Sequence, residues 1–433
     1  MVWKIVRGVL FVLGLGLTAL IASNCTMLTL NYASLETANK PVPTPVIEAA
    51  SLQDWEASRP ALFEAFSTHV YGPWPDGWTV SFGETRIVDD QYQGGLGVLE
   101  ETPVTIGTGN AARTFHLVTA YPKTRPASGA PVILAQTFSS NCGVFLGSAV
   151  TGPGGAPCNS GEVPGVFKFI FGQYIAKAPT DQYLARGYAY ASFYASEFVP
   201  DRNTLAQNTI QSLDVEGATL PTSALSAWAY AFSAALTYLE SDDRIDPDKT
   251  ALFGHSRHGK AVLVAAAWDE RVDAAFAHQS GFGGASLNRS KTGEGLERVA
   301  KNYPHWFDPT YGSYADREDE IPVDQHQFLA LIAPRPVLLG NARRDVWSDP
   351  NSSYRAAQAA DAVYELYGVE GFDQSGLKDF NPDAELAFHM RGGAHGVQQE
   401  DVDAMLDFFD AHFADDDLPD TYTACAERAT AEC

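Results

Sequence analysis

The sequence predicts an α/β protein, a three-layer sandwich with a mostly parallel central sheet. Two observations carry this. Short apolar runs of strand type alternate with stretches of helical spacing through the middle of the chain, as in a sheet covered by helices on both faces. Two of those runs open directly onto glycine (Gly254 and Gly340), where a chain leaving a buried strand turns tightly.

Taken in order, Leu52 begins an amphipathic segment that ends in the aromatic turn Val70-Tyr71-Gly72-Pro73-Trp74-Pro75. Thr114 to Ala120 is a strand-like run, Pro131 to Phe138 a buried strand, and Gly187 to Tyr194 another. Ser223 to Glu240 has helical spacing. Thr250 to Phe253 reads as a short strand and Lys260 to Trp268 as the helix after it. Pro336 to Leu339 and Ala387 to Met390 are the last strands, and Gln399 to Phe413 the last helix. No internal repeat is found. The 433 residues are expected to divide into a signal peptide or anchor over 1–25, a linker over 26–50, one domain over 51–415 and a tail over 416–433.

Charge narrows the function. Lys plus Arg number 29 against 53 for Asp plus Glu, a net charge of −24. Such a surface argues against a nucleic-acid partner, which needs a basic face. It says little about fold, and a salt-adapted source would explain it.

The N-terminus reads as an export signal. Lys4 and Arg7 precede a fifteen-residue uncharged, mostly apolar run from Gly8 to Ala22, short for a spanning helix. The uncharged stretch continues to Leu35, so an uncleaved membrane anchor stays open. Ala22-Ser23-Asn24-Cys25 loosely matches a lipoprotein site, with Asn24 where a small residue is expected. The destination is the periplasm, the outer surface or the medium. Cysteine usage agrees: Cys142 and Cys158 flank one loop, Cys425 and Cys433 bracket the tail, and two local disulfides would use all four. No Cys-x-x-Cys pair suggests a metal, and no cofactor is expected.

Gly254-His255-Ser256-Arg257-His258-Gly259 lies between a strand and a helix. A serine on such a turn has its Oγ pushed out at the carboxyl edge of the sheet, the nucleophile elbow of α/β-hydrolases. The second glycine comes one position later than in Gly-x-Ser-x-Gly. His395, in Arg391-Gly392-Gly393-Ala394-His395-Gly396 after the last strand, is selected as base by position among ten histidines. His255 and His258 are assigned to packing or the rim, His389 and His412 to structure. The acid falls between serine and histidine: Asp345 is preferred and Asp349 is its rival.

With these residues in view, the sequence resembles carbohydrate esterase family fifteen, the glucuronoyl esterases. Gly254 to Lys260 is similar to the family's Gly-x-Ser-Arg-x-Gly-Lys elbow, late glycine included. Gln279-Ser280-Gly281, Gly283-Gly284, Gly293-Glu294, Pro304-His305-Trp306-Phe307, Pro322-Val323-Asp324-Gln325-His326 and Ala333-Pro334-Arg335-Pro336 resemble further segments of bacterial members, over about residues 55 to 415. The resemblance implies that Arg257 stabilises the oxyanion and that Lys260, Glu294, Trp306 and Gln279 line the substrate site. One departure stands out. Many members carry a triad glutamate where this chain has Gln279, and an amide cannot balance an imidazolium; the task then returns to Asp345, with Gln279 at most a neutral partner of His395.

The implied reaction is hydrolysis of esters between 4-O-methylglucuronic acid on glucuronoxylan and lignin alcohols, by a monomer. A deacetylase of polysaccharides with the same triad and a non-catalytic carbohydrate-binding relative remain as alternatives. A peptidase is disfavoured, because no propeller-type repeats precede the domain.

Overall fold

The computed structural model describes residues 43–158, 168, 171–213, 217–289 and 293–413. The expected signal segment, the C-terminal tail and the Cys425–Cys433 pairing lie outside them.

Ten strands form one sheet. Four open the chain: β1 (Val80–Phe82), β2 (Arg86–Gln91), β3 (Gly97–Ile106) and β4 (Arg113–Pro122). Then come β5 (Ala130–Thr137), β6 (Ala189–Tyr194), β7 (Ile245–His255), β8 (Ala274–His278), β9 (Val337–Ala342) and β10 (Leu386–Arg391). The spatial order is β1-β3-β4-β6-β5-β7-β8-β9-β10, with β2 also paired to β3. Pairing is antiparallel from β1 through β4 to β6 and parallel from β6 to β10.

Period-two alternation divides the parallel strands between two cores. On β5, Val132 and Leu134 face one and Ile133 and Ala135 the other. On β9, Val337 and Leu339 are opposed to Leu338 in the same way. The first core is covered by α1 (Leu52–Phe66), α2 (Ala224–Leu239), α3 (Arg257–Trp268) and α4 (Pro350–Tyr367). The second lies under α5 (Gln399–Phe413), which contributes Val402, Met405, Phe408 and Phe409. The three-layer α/β-hydrolase sandwich expected from the sequence is thus present. Helix α2 starts where Ser223 caps it by accepting from Ser226 N.

One element differs from expectation. The short strand at Thr250–Phe253 is the middle of an eleven-residue β7. Its start, Ile245-Asp246-Pro247-Asp248-Lys249, is polar and reads as a turn, yet Ile245 is registered with Ala130 of β5. Two segments singled out in the sequence serve this scaffold. Arg335 donates to the carbonyls of Ala266, Asp269 and Val272 at the end of α3. Asp324 accepts from Asn288 N at 2.6 Å.

Candidate active site

Strands β7 to β10 are parallel neighbours, so their carboxyl ends open on one edge of the sheet. Each candidate triad residue follows one of them. Ser256 leaves β7 with φ +57°, a left-handed conformation that a non-glycine residue adopts at a cost. Its N–H donates to His278 O at 2.8 Å and its carbonyl accepts from Lys260 N at 3.2 Å, so strand, turn and helix are tied together. The geometry also explains the late glycine. A Cβ on Gly254 would stand 2.3 Å from His258 O, and one on Gly259 would stand 2.9 Å from Gly254 O and 3.0 Å from His278 O. Gly259 is the position where α3 crosses the strand ends.

Asp345, after β9, is buried, and its Oδ2 lies 2.7 Å from Nδ1 of His395, which follows β10. Oδ2 also accepts from Ser348 Oγ at 2.6 Å. Burial raises the Asp345 pKa, but the charge and hydrogen bond of His395, with the hydroxyl and amide of Ser348, outweigh it and hold the carboxyl below its ordinary range. The rival Asp349 instead caps α4, accepting from Ser352 N at 3.2 Å.

Arg257 begins α3. Its Nε lies 2.7 Å from Asp201 Oδ2, off hydrogen-bond alignment, and its guanidinium sits 4.5 Å from the centre of the Phe138 ring. Asp201 also receives His305 Nε2 at 2.9 Å and Trp306 Nε1 at 2.8 Å. Burial works against this carboxylate, yet His305, Arg257 and Trp306 bring its pKa down to about 2. Nothing in the sequence marks Asp201, which reads as the turn aspartate of Pro200-Asp201-Arg202.

Family-model comparison matches residues 148–368 to the model described as "Glucuronyl esterase, fungi". A carbohydrate esterase from an unknown prokaryotic organism is 30% identical over 88% of this chain and 92% of its own length. The chain belongs to the glucuronoyl esterases. A 4-O-methyl-glucuronoyl methylesterase of Schizophyllum commune is 28% identical over 75% of this chain and 72% of its own. Among solved structures, the glucuronoyl esterase of Solibacter usitatus superposes with a TM-score of 0.73 at 29% identity, covering 87% of this chain and 100% of that one. A family-fifteen esterase described as promiscuous, from a marine bacterial metagenome, gives 0.74 at 29% identity, with 88% and 99% covered. Membership makes this glucuronoyl esterase a carboxylic-ester hydrolase.

Three of the substrate-lining residues expected from the resemblance have their polar groups engaged within the protein. Lys260 is only 3% exposed, and it donates to the carbonyls of Ser280 and, at 2.7 Å, Phe282. It braces the turn after β8 rather than offering its ammonium at the surface. Trp306 is buried, with its N–H given to Asp201 and one face covered by Tyr303 at 3.9 Å. Gln279 is buried too, and it braces the loop around the base: its Oε1 accepts from Gly396 N at 2.8 Å. Its Nε2 donates to Ala394 O at 3.5 Å, so its amide hydrogen-bonds the backbone on both sides of His395.

Glu294 is half-buried, and its N–H donates to Trp347 O at 3.1 Å. That bond brings it beside Trp347, which the sequence reading passed over. Trp347 lies two residues after Asp345, is 41% exposed and has the Arg298 guanidinium 4.0 Å from its ring centre. A tryptophan two residues after the candidate acid was the available signal. His255 and His258 are both buried rather than on the rim, His258 with its Nδ1 3.1 Å from Gln136 Oε1.

Proposed function

We propose that this enzyme hydrolyses esters of 4-O-methylglucuronic acid, carried on glucuronoxylan, with lignin alcohols, using Ser256, His395 and Asp345 as its triad. The observation that carries the reading is the 2.7 Å Asp345–His395 bond at the sheet edge onto which Ser256 opens. Asp345 holds His395 with its Nδ1–H inward, leaving Nε2 as the base. His395 takes the proton of Ser256 Oγ as that oxygen attacks the uronoyl carbonyl. The oxyanion is held by the N–H at the start of α3 and by the Arg257 guanidinium, itself steadied by Asp201. His395 returns the proton to the alcohol oxygen as the C–O bond breaks. Water, deprotonated by the same imidazole, then attacks the acyl-enzyme and releases the uronate and Ser256.

Trp347 and Glu294 are assigned to the sugar side, where an indole face and a carboxylate suit a hydroxylated ring. The enzyme is assigned to an oxidising compartment outside the cytoplasm, a reading supported by the Cys142–Cys158 disulfide and the Lys4-to-Ala22 segment.

The test is hydrolysis of a benzyl glucuronate ester beside a simple aryl acetate, with Ser256→Ala as control. Preference for the glucuronate, abolished in the variant, is expected. Turnover of acetate alone would discard the substrate and favour a deacetylase; turnover of neither would favour a binding role.

A further inference from the structure

Behind the His395 ring lies a second line of buried polar groups that the reaction scheme leaves unused. His255 ends β7, and its ring centre is 4.4 Å from that of His395. Its Nδ1 is 2.8 Å from Nδ1 of His278, the last residue of β8 and 0% exposed. His278 Nε2 lies 3.0 Å from Asp401 Oδ1 on α5, in a contact bent from linear. The other Asp401 oxygen accepts from Arg391 Nε at 2.5 Å and from Gln398 N at 2.8 Å. Arg391 Nη2 in turn donates to Gly396 O and, at 3.2 Å, to Ala394 O, the carbonyls on either side of His395.

Counting hydrogens orders this chain. The Asp401 pKa lies near 2, because His278 and Arg391 outweigh the upward push of burial. An ionised carboxylate only accepts, so His278 Nε2 carries the hydrogen that faces it. Arg391 already balances the Asp401 charge. In the tautomer that turns its Nε2 hydrogen to Asp401, the His278 ring has a bare Nδ1, which is the acceptor across the contact with His255. The hydrogen shared across 2.8 Å then belongs to His255 Nδ1. His255 therefore presents to His395 a neutral ring of fixed tautomer.

We propose that Asp401 is a positioning residue for His395. Through Arg391 it fixes the backbone on both sides of the base, and through His278 and His255 it fixes the ring against which the imidazole rests. The proposal rests on His395 being the base.

Asp401→Asn in the full-length protein is the test. Its amide oxygen must serve Arg391, so its NH2 faces His278. That imidazole must then accept at Nε2, which moves its hydrogen to Nδ1 and that of His255 to Nε2. Long-range 1H–15N spectra of the histidine rings read this reversal directly. The expected result is reversed tautomers with kcat on the glucuronate ester at least about tenfold lower and KM within about twofold. Unchanged kcat, or unchanged tautomers, overturns the proposal. Should Asp401→Asn fail to fold, His255→Phe decides, since it keeps a ring against His395 but cannot bond His278. A similar loss of kcat at constant KM supports the proposal, and wild-type kcat overturns it. A failure of the triad reading is distinguishable, because it shows as turnover surviving in Ser256→Ala.

Discussion

Asp345 Oδ2 accepts two bonds at once, from His395 Nδ1 at 2.7 Å and from Ser348 Oγ at 2.6 Å. The second bond fixes the carboxylate, so the imidazole is aligned by a group that cannot itself swing. An amide here would have to offer NH2 to one partner and would favour the wrong tautomer. Asp345→Asn is expected to lower kcat by about 10³- to 10⁴-fold with little change in KM. Asp349→Ala is expected to keep kcat and lose about 1 kcal/mol of stability, as for a lost helix cap. Steady-state kinetics with urea unfolding separates the two; the opposite pattern would transfer the acid's role to Asp349.

Asp201 carries a similar argument for Arg257. A guanidinium aimed at a developing oxyanion is useful only if it is held, and Asp201 holds it 2.7 Å away. Asp201→Asn removes the charge and keeps the shape. It is expected to reduce kcat by about ten- to a hundredfold while KM changes little, less than the loss of about 10²- to 10³-fold for removing an oxyanion donor outright. Arg257→Lys should not rescue, because a point cation lacks the planar fork. Full activity in Asp201→Asn would remove Arg257 from the oxyanion site.

The two tryptophans make opposite predictions. Trp347→Ala is expected to raise KM several-fold and change the unfolding midpoint little, since the residue is 41% exposed and lies outside the core. Trp306→Ala is expected to cost about 3–5 kcal/mol of stability, as for other buried large-to-small changes. Equal KM for Trp347→Ala and wild type would sink its assignment to the sugar side.

The parallel half of this fold was legible because its strands are continuous apolar runs that open onto glycine. The antiparallel edge was not. On β1 and β2 most residues are exposed or half-exposed, and Arg86-Ile87-Val88-Asp89-Asp90-Gln91 carries no clean alternation. At the site, position along the chain pointed to Ser256, His395 and Asp345 as candidates, because each follows a recognisable strand. Burial was not readable. Lys260 and Trp306 were placed at the ligand by the family resemblance alone, and only the packed structure shows their donors already used. Asp201 and Asp401 are ordinary aspartates in sequence, and what distinguishes them is the cations and imidazoles that come from distant strands.

Buried imidazoles also set how this protein meets acid. His326 donates through Nε2 to Pro45 O at 2.7 Å and His389 sits on β10; burial brings each pKa down to about 4. In the unfolded chain both would titrate near 6.5. Above that value neither state binds the proton and the two residues cost nothing. As pH falls from about 6.5 toward 4, the unfolded chain takes up protons that the folded one refuses, so stability drops by up to about 1.4 kcal/mol per pH unit for each residue. Below about 4 the folded form protonates too and this loss levels off. Between pH 7.5 and 5 the two together should remove about 4 kcal/mol of unfolding free energy. The variant His326→Gln/His389→Gln, measured by urea unfolding at both pH values, should show a clearly smaller drop than wild type. An equal drop in the two proteins would move the acid sensitivity to other groups, with the lowered carboxyls of Asp345 and Asp401 acting only at lower pH, where their own bonds are lost.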